Sequence, residues 1–114
     1  MSTRIPARAA VVRTVNTPWA IEDVEISAPR EDEVLVRMVG TGICHTDISC
    51  KDGHFPVPMP IVLGHEGAGV VEKVGAKVSH VKVGDHVVLS FDSCGHCHNC
   101  DDHKPSYCFD FYPR

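Results

Sequence analysis

The chain has 114 residues and 12.5 kDa, with 43% hydrophobic and 23% charged residues, proportions that exclude a disordered chain, a coiled coil and a collagen-like repeat. Eleven Lys and Arg against fifteen Asp and Glu give a net charge of -4, with no basic stripe of the kind that displaces counterions from nucleic acid. The longest apolar stretch, residues 57–63, holds two prolines and is far short of a membrane span, and no apolar run of signal-peptide length follows Arg4 and Arg8. One cytoplasmic domain is expected, with no membrane and no nucleic-acid partner.

In chain order, short β-branched runs predict strands over residues 7–12, 34–39, 69–74 and 85–89. A looser alternation over 19–26, with Ile21, Val24 and Ile26 among acids, predicts another. Pro29, Asp52-Gly53, Gly75 and Gly84-Asp85 supply the turns between them. Residues 46–51 predict one short helix, with Thr46 as its cap. Residues 55–60, Phe-Pro-Val-Pro-Met-Pro, form a stiff extended connection. Many short strands at close intervals argue for a mainly β domain, a barrel or a sandwich.

Four of the six cysteines crowd the C-terminal end, Cys94, Cys97, Cys100 and Cys108, with two-residue gaps between the first three. That spacing lets sulfurs converge on one ion while the intervening amides point at the thiolates, and four thiolates suit a closed tetrahedral zinc site. A disulfide reading is weaker, because CxxC bridges are strained and redox-active. With no open position, such a zinc is structural. Its net charge of -2 needs amide donors, with Lys104 as a further candidate helper. His96, His98 and His103 read as exposed loop residues.

Two further segments carry chemistry, Gly42-Ile43-Cys44-His45-Thr46-Asp47 and Gly64-His65-Glu66-Gly67-Ala68-Gly69. Cys44 and His65 are good zinc ligands, and Asp47 and Glu66 are carboxylates of the kind that orient a ligand histidine. Each also has a plain structural reading: Cys44 as a small buried hydrophobe, and His65 as a hydrogen-bonded core or surface residue. His65-Glu66 does not open a metalloprotease helix, because no histidine follows at the right spacing. The glycines of the second segment run in the wrong order for a dinucleotide loop. They suit a close backbone approach instead.

Taken together with Gly84-Asp85-His86-Val87 and the four-cysteine lobe, these motifs make the chain resemble the zinc-dependent medium-chain alcohol dehydrogenases along essentially its whole length. Residues 55–75 look most like the aryl or benzyl alcohol branch. The resemblance implies a GroES-like β-barrel with a short helix and a structural zinc lobe over residues 93–108. It implies Cys44 and His65 as catalytic zinc ligands, Glu66 as a carboxylate behind that metal, and Asp47 as the partner of the ligand histidine. Thr46 would take the substrate proton, and His45 would contact the pyrophosphate of the NAD(P) cofactor. Cys94, Cys97, Cys100 and Cys108 would hold the structural zinc.

The chemistry so implied is oxidation of a primary alcohol, aryl or allylic, to an aldehyde. The metal acts as a Lewis acid and a nicotinamide accepts hydride. Phe55, Val57 and Phe91 are candidates to line the pocket or to join the core. Ser49 stands where many members of the family carry the histidine that ends the proton relay. Cys50 is expected to be buried and idle. In that family a third ligand cysteine and the nucleotide-binding domain lie beyond residue 114, and the sequence ends at Phe111-Tyr112-Pro113-Arg114. Residues 1–114 are therefore expected to be one catalytic domain, with the nucleotide-binding domain absent, and inactive alone. The parent would be a homo-oligomer, and this part of it would expose an apolar face. The alternative is a non-catalytic zinc-binding module acting through a partner.

Overall fold

The computed structural model describes residues 4–111, so the last residues of the sequence, 112–114, lie outside the described residues. The chain is mainly β. Six strands form in chain order: β1 (Arg4–Val12), β2 (Ala20–Ser27), β3 (Val34–Thr41), β4 (Ile61–Val62), β5 (Gly67–Val74) and β6 (His86–Val88). All the predicted strands are present, within a few residues of their expected ends. The strand β4 has no counterpart among the sequence-based expectations, because two residues carry no periodicity. It exists because Val11 and Val12 of β1 pair with Val62 and Ile61.

The expected barrel takes a more open form. One antiparallel sheet runs β2-β1-β4 and the other β3-β5-β6, and among the described residues no strand joins them into one closed ladder. β1 and β2 pair along their whole length, from Arg4 opposite Ser27 to Val11 opposite Ala20. The free edge of β2 carries Glu22, Asp23 and Glu25, charges that discourage pairing with another chain. No helix among the described residues is long and apolar enough to cross a membrane.

The core is thin. Val11, Val12, Cys50, Val71 and Cys108 are its buried apolar residues among those described. The radius of gyration is 15.2 Å, against about 13 Å for a compact domain of this length. Two glycines permit the close approach of β5 to its neighbours. A Cβ on Gly69 would stand 2.3 Å from the Arg37 carbonyl oxygen, and one on Gly67 would collide with the Met38 side chain. The expectation of a close backbone approach at these glycines holds.

The helix α1 (His45–Lys51) begins one residue earlier than predicted, and Cys44 rather than Thr46 occupies the capping position. The Asp47 carboxylate accepts the Cys44 amide at 3.1 Å, so the cap is built backward from the first turn. Thr46 is already helical and exposed. The far end of α1 is tied to the β1–β2 sheet: the Asn16 amide donates to the Lys51 carbonyl at 2.9 Å, and the Lys51 ammonium lies 5.3 Å from the Trp19 ring centre. Towards the C-terminus a short helix α2 (His98–Asp101) and a 3-10 turn, Pro105–Tyr107, fold the cysteine lobe.

Candidate metal centres

The first centre is local. Cys97 precedes α2, Cys100 lies within it, and Cys108 follows the 3-10 turn. Asn99 ties the two pieces by donating its Nδ2 to the Tyr107 carbonyl at 2.7 Å. The four sulfurs of Cys94, Cys97, Cys100 and Cys108 lie within 4.8 Å of one another. All six cysteines are free thiols. The Cys94–Cys100 sulfur separation is 3.9 Å. Zinc holding four sulfurs at about 2.3 Å sets them about 3.8 Å apart on each tetrahedral edge, whereas a disulfide needs about 2.05 Å. The donor set therefore fits zinc.

Amides face these sulfurs as the spacing predicts. The Cys97 amide donates to Cys94 Sγ at 3.3 Å, the His96 amide to the same sulfur at 3.4 Å, and the Cys94 amide to Cys108 Sγ at 3.3 Å. Donation by the Phe109 amide, then by that of Cys100, pulls the Cys97 thiol down to about 6. The Gly95 amide also pulls on Cys100, but burial and the neighbouring thiols Cys97, Cys108 and Cys94 outweigh it and push Cys100 up to about 11. Crowded sulfurs give up a first proton easily and later ones with difficulty. Lys104 is not the helper expected: its ammonium pairs with Asp102 at 3.1 Å. His96, His98 and His103 are all exposed, as predicted, although His98 opens α2 rather than lying in a loop. His96 and Asp110 approach Cys94 as a third donor group, but that thiol already belongs to the four-sulfur set.

The second centre is assembled by strand pairing. In the β3–β5 ladder Gly40 faces Ala68 and Thr41 faces Gly67. The register continues one step past the strands, where the Gly42 amide donates to the Glu66 carbonyl at 3.0 Å. That pairing brings Cys44, just beyond β3, against His65, just before β5. Donor atoms of Cys44, His65 and Glu66 lie within 4.8 Å of one another. One sulfur, one imidazole and one carboxylate suit zinc with a position left open.

Asp47 organises this group. It is 6% exposed. Its Oδ2 accepts the Cys44 amide at 3.1 Å, and its Oδ1 lies 3.5 Å from His65 Nδ1. With Nδ1 turned to Asp47, the other ring nitrogen faces the donor group, and Nε2 stands 3.6 Å from Glu66 Oε2. The Cys44 thiol donates to Thr46 Oγ1 at 3.4 Å. His45 is exposed, and its Nδ1 lies 3.3 Å from Ser49 Oγ. Cys50 is buried, as expected. Burial, and then the nearby Asp47 carboxylate, push its thiol up.

A cavity of about 380 Å³ opens beside the second centre. Thr46, His65, Phe55, Val57, Phe91 and Phe111 are among its lining residues, which decides between core and pocket for Phe55, Val57 and Phe91 in favour of the pocket. Sequence reasoning misses Phe111. It packs edge-on against Phe91, ring centres 5.2 Å apart. The only signal is an aromatic three residues past Cys108, which matters only once the chain beyond the lobe returns to Phe91.

Comparison with known proteins bears on the family and the fold. Residues 30–113 match the family model described as the alcohol dehydrogenase GroES-like domain. The chain is 61% identical over 109 residues to a geraniol dehydrogenase of Castellaniella defragrans, covering 96% of this chain and 29% of that protein. Among solved structures, an alcohol dehydrogenase zinc-binding domain protein from Burkholderia ambifaria is 52% identical with a TM-score of 0.93, over 96% of this chain and 30% of that one. A benzyl alcohol dehydrogenase from Acinetobacter calcoaceticus is 44% identical with the same TM-score and coverage. The chain thus spans less than a third of the length of these relatives.

Proposed function

The chain belongs to the alcohol dehydrogenase GroES-like domain family, and from that premise we propose that it is the alcohol-binding part of a zinc-dependent dehydrogenase. The proposed reaction oxidises a primary aryl or allylic alcohol to its aldehyde with NAD or NADP. The observation that carries this reading is the convergence of Cys44, His65 and Glu66 beside an aromatic cavity. Relatives named for geraniol and benzyl alcohol support an allylic or aryl substrate.

Zinc bound at Cys44, His65 and Glu66 supplies a Lewis acid, and the nicotinamide supplies the hydride acceptor. The rest is work for this chain's residues. Asp47 holds Cys44 and His65 in place through an amide and an imidazole nitrogen. Thr46 Oγ1, exposed at the cavity wall, takes the alcohol proton and releases it to water. Ser49 ends no relay from Thr46 in this scheme, since its hydroxyl is turned to His45. Phe55, Val57, Phe91 and Phe111 exclude water and seat the apolar part of the substrate. His45, at the exposed start of α1, is the residue proposed to meet the cofactor pyrophosphate.

Residues 1–114 are proposed as one catalytic domain with a structural zinc lobe at 93–108, working in a cytoplasmic homo-oligomer whose nucleotide-binding domain lies elsewhere in a longer polypeptide. The alternative, a non-catalytic zinc module, is not favoured by relatives that are themselves dehydrogenases.

The test replaces the matching segment of the Castellaniella geraniol dehydrogenase with residues 1–114. Formation of reduced nicotinamide is then followed with benzyl alcohol or geraniol. Activity that disappears in Cys44→Ser and His65→Ala is expected. An inactive chimera that binds two zinc ions and cofactor normally would overturn the proposal.

A further inference from the structure

We infer that Gly42 is a positioning residue of the second metal centre, its missing side chain setting where the Glu66 carboxylate can stand. The inference rests on the reading of Cys44, His65 and Glu66 as metal ligands and goes beyond it. Gly42 sits in the link between β3 and Cys44, opposite Glu66 in the extended register, and donates its amide to the Glu66 carbonyl at 3.0 Å. A Cβ at Gly42 would lie 2.7 Å from Glu66 Oε1 and 3.3 Å from Glu66 Cβ. The first distance is too short for any real contact. The carboxylate therefore occupies the space that a side chain at position 42 would take, and its other oxygen reaches to 3.6 Å from His65 Nε2.

The usual reason for glycine does not apply at this position. The described glycines with left-handed backbone are Gly53, Gly64, Gly84 and Gly95, and Gly42 is not among them. Alanine could adopt its backbone without strain. What alanine would disturb is the end of a flexible side chain rather than main chain. This contrasts with Gly69, where the obstruction is the Arg37 carbonyl oxygen at 2.3 Å. A methyl group at 42 should thus leave the sheet intact and displace the Glu66 carboxylate from the donor group. Gly40, two residues earlier and within β3, has nothing within 4 Å of where a Cβ would stand and serves as the control.

The experiment titrates the metal-free chimera described above, in which residues 1–114 replace the matching segment of the Castellaniella dehydrogenase, with zinc against a chromophoric chelator, and with cobalt to record the ligand-field spectrum. The first equivalent fills the four-cysteine lobe and reports that each variant is folded. Gly42→Ala should weaken the second equivalent about tenfold, within the range seen when groups that orient metal ligands are changed, and should shift the cobalt spectrum of that site. Glu66→Ala should weaken it as well. In the Glu66→Ala background, Gly42→Ala should add less than about twofold, since its effect runs through the carboxylate. Gly40→Ala should match the wild type.

An unchanged or tighter second equivalent in Gly42→Ala, or the same loss in both backgrounds, overturns the inference and leaves the ligand set standing. A wild-type chimera that binds one equivalent only overturns the ligand set and the inference together. Should Gly42→Ala melt too early for titration, its melting temperature becomes the readout. The Glu66→Ala background should then restore it, and failure to do so refutes the steric link.

Discussion

Asp47 shows how one side chain can serve folding and chemistry at once. Its two oxygens divide between the Cys44 amide at 3.1 Å and His65 Nδ1 at 3.5 Å, so the group that starts α1 also fixes two of the three proposed ligands, Cys44 and His65. A buried carboxylate in that place favours the His65 tautomer that presents Nε2 to a metal. Asp47→Asn keeps the volume but offers an amide where the imidazole N–H needs an acceptor. We expect it to weaken the second zinc equivalent by about 10- to 100-fold while the four-cysteine lobe binds normally. Chelator competition on the two equivalents separates those outcomes, and equal losses at both would mean that Asp47 acts through global stability.

At the scale of elements, the turn between β5 and β6 offers a pH test. Asp85 accepts the Lys82 amide at 3.0 Å and its ammonium at 2.9 Å. Those bonds hold the Asp85 carboxyl below its ordinary value of 3.8. A carboxyl depressed by folding contributes stability that is complete above the unfolded value and lost as pH falls through the folded one. The melting temperature of Asp85→Asn should therefore trail the wild type most at neutral pH. The gap should close as the pH drops below 3.8. A gap that widens in acid would reverse the assignment. In β5 itself, Val71 is 1% exposed in the middle strand of its sheet. Val71→Ala should cost about 2 kcal/mol from lost transfer and a residual cavity, read as a lower urea midpoint with an unchanged slope.

For the whole molecule, the exposed apolar residues matter as much as the buried ones. Val39 on β3, Val88 on β6 and Ile43 in the link to α1 are 72%, 84% and 72% exposed. Val39 and Val88 border a shallow apolar surface shared with Val70 and Val87. Patches of this kind on a small chain seek cover. The 114-residue chain should self-associate, with light scattering giving a mass above 12.5 kDa that falls on dilution. Val39→Lys with Val88→Lys should shift it to the monomer without emptying either metal centre. A monomeric wild type at high concentration would refute this.

What depends on near neighbours is legible in the chain alone. The spacing of Cys94, Cys97 and Cys100 sets a sulfur cluster because two intervening residues span one metal edge. The strand pattern is likewise legible, since alternation and turn residues act over a few positions. The resemblance of four motifs then points to Cys44, His65, Asp47 and Glu66. Their spacing alone leaves a plain structural reading open for each. That these four meet follows from the folded chain, because Cys44 and His65 are joined by the β3–β5 register and not by a local turn. The fold also settles the smaller matters: Cys44 rather than Thr46 as the helix cap, Lys104 paired with Asp102, and Phe111 drawn into the cavity by the folded lobe. The physical reason is range. Local spacing constrains a few ångströms of chain, whereas a site built from two strands and a helix exists only after long-range pairing has chosen its register.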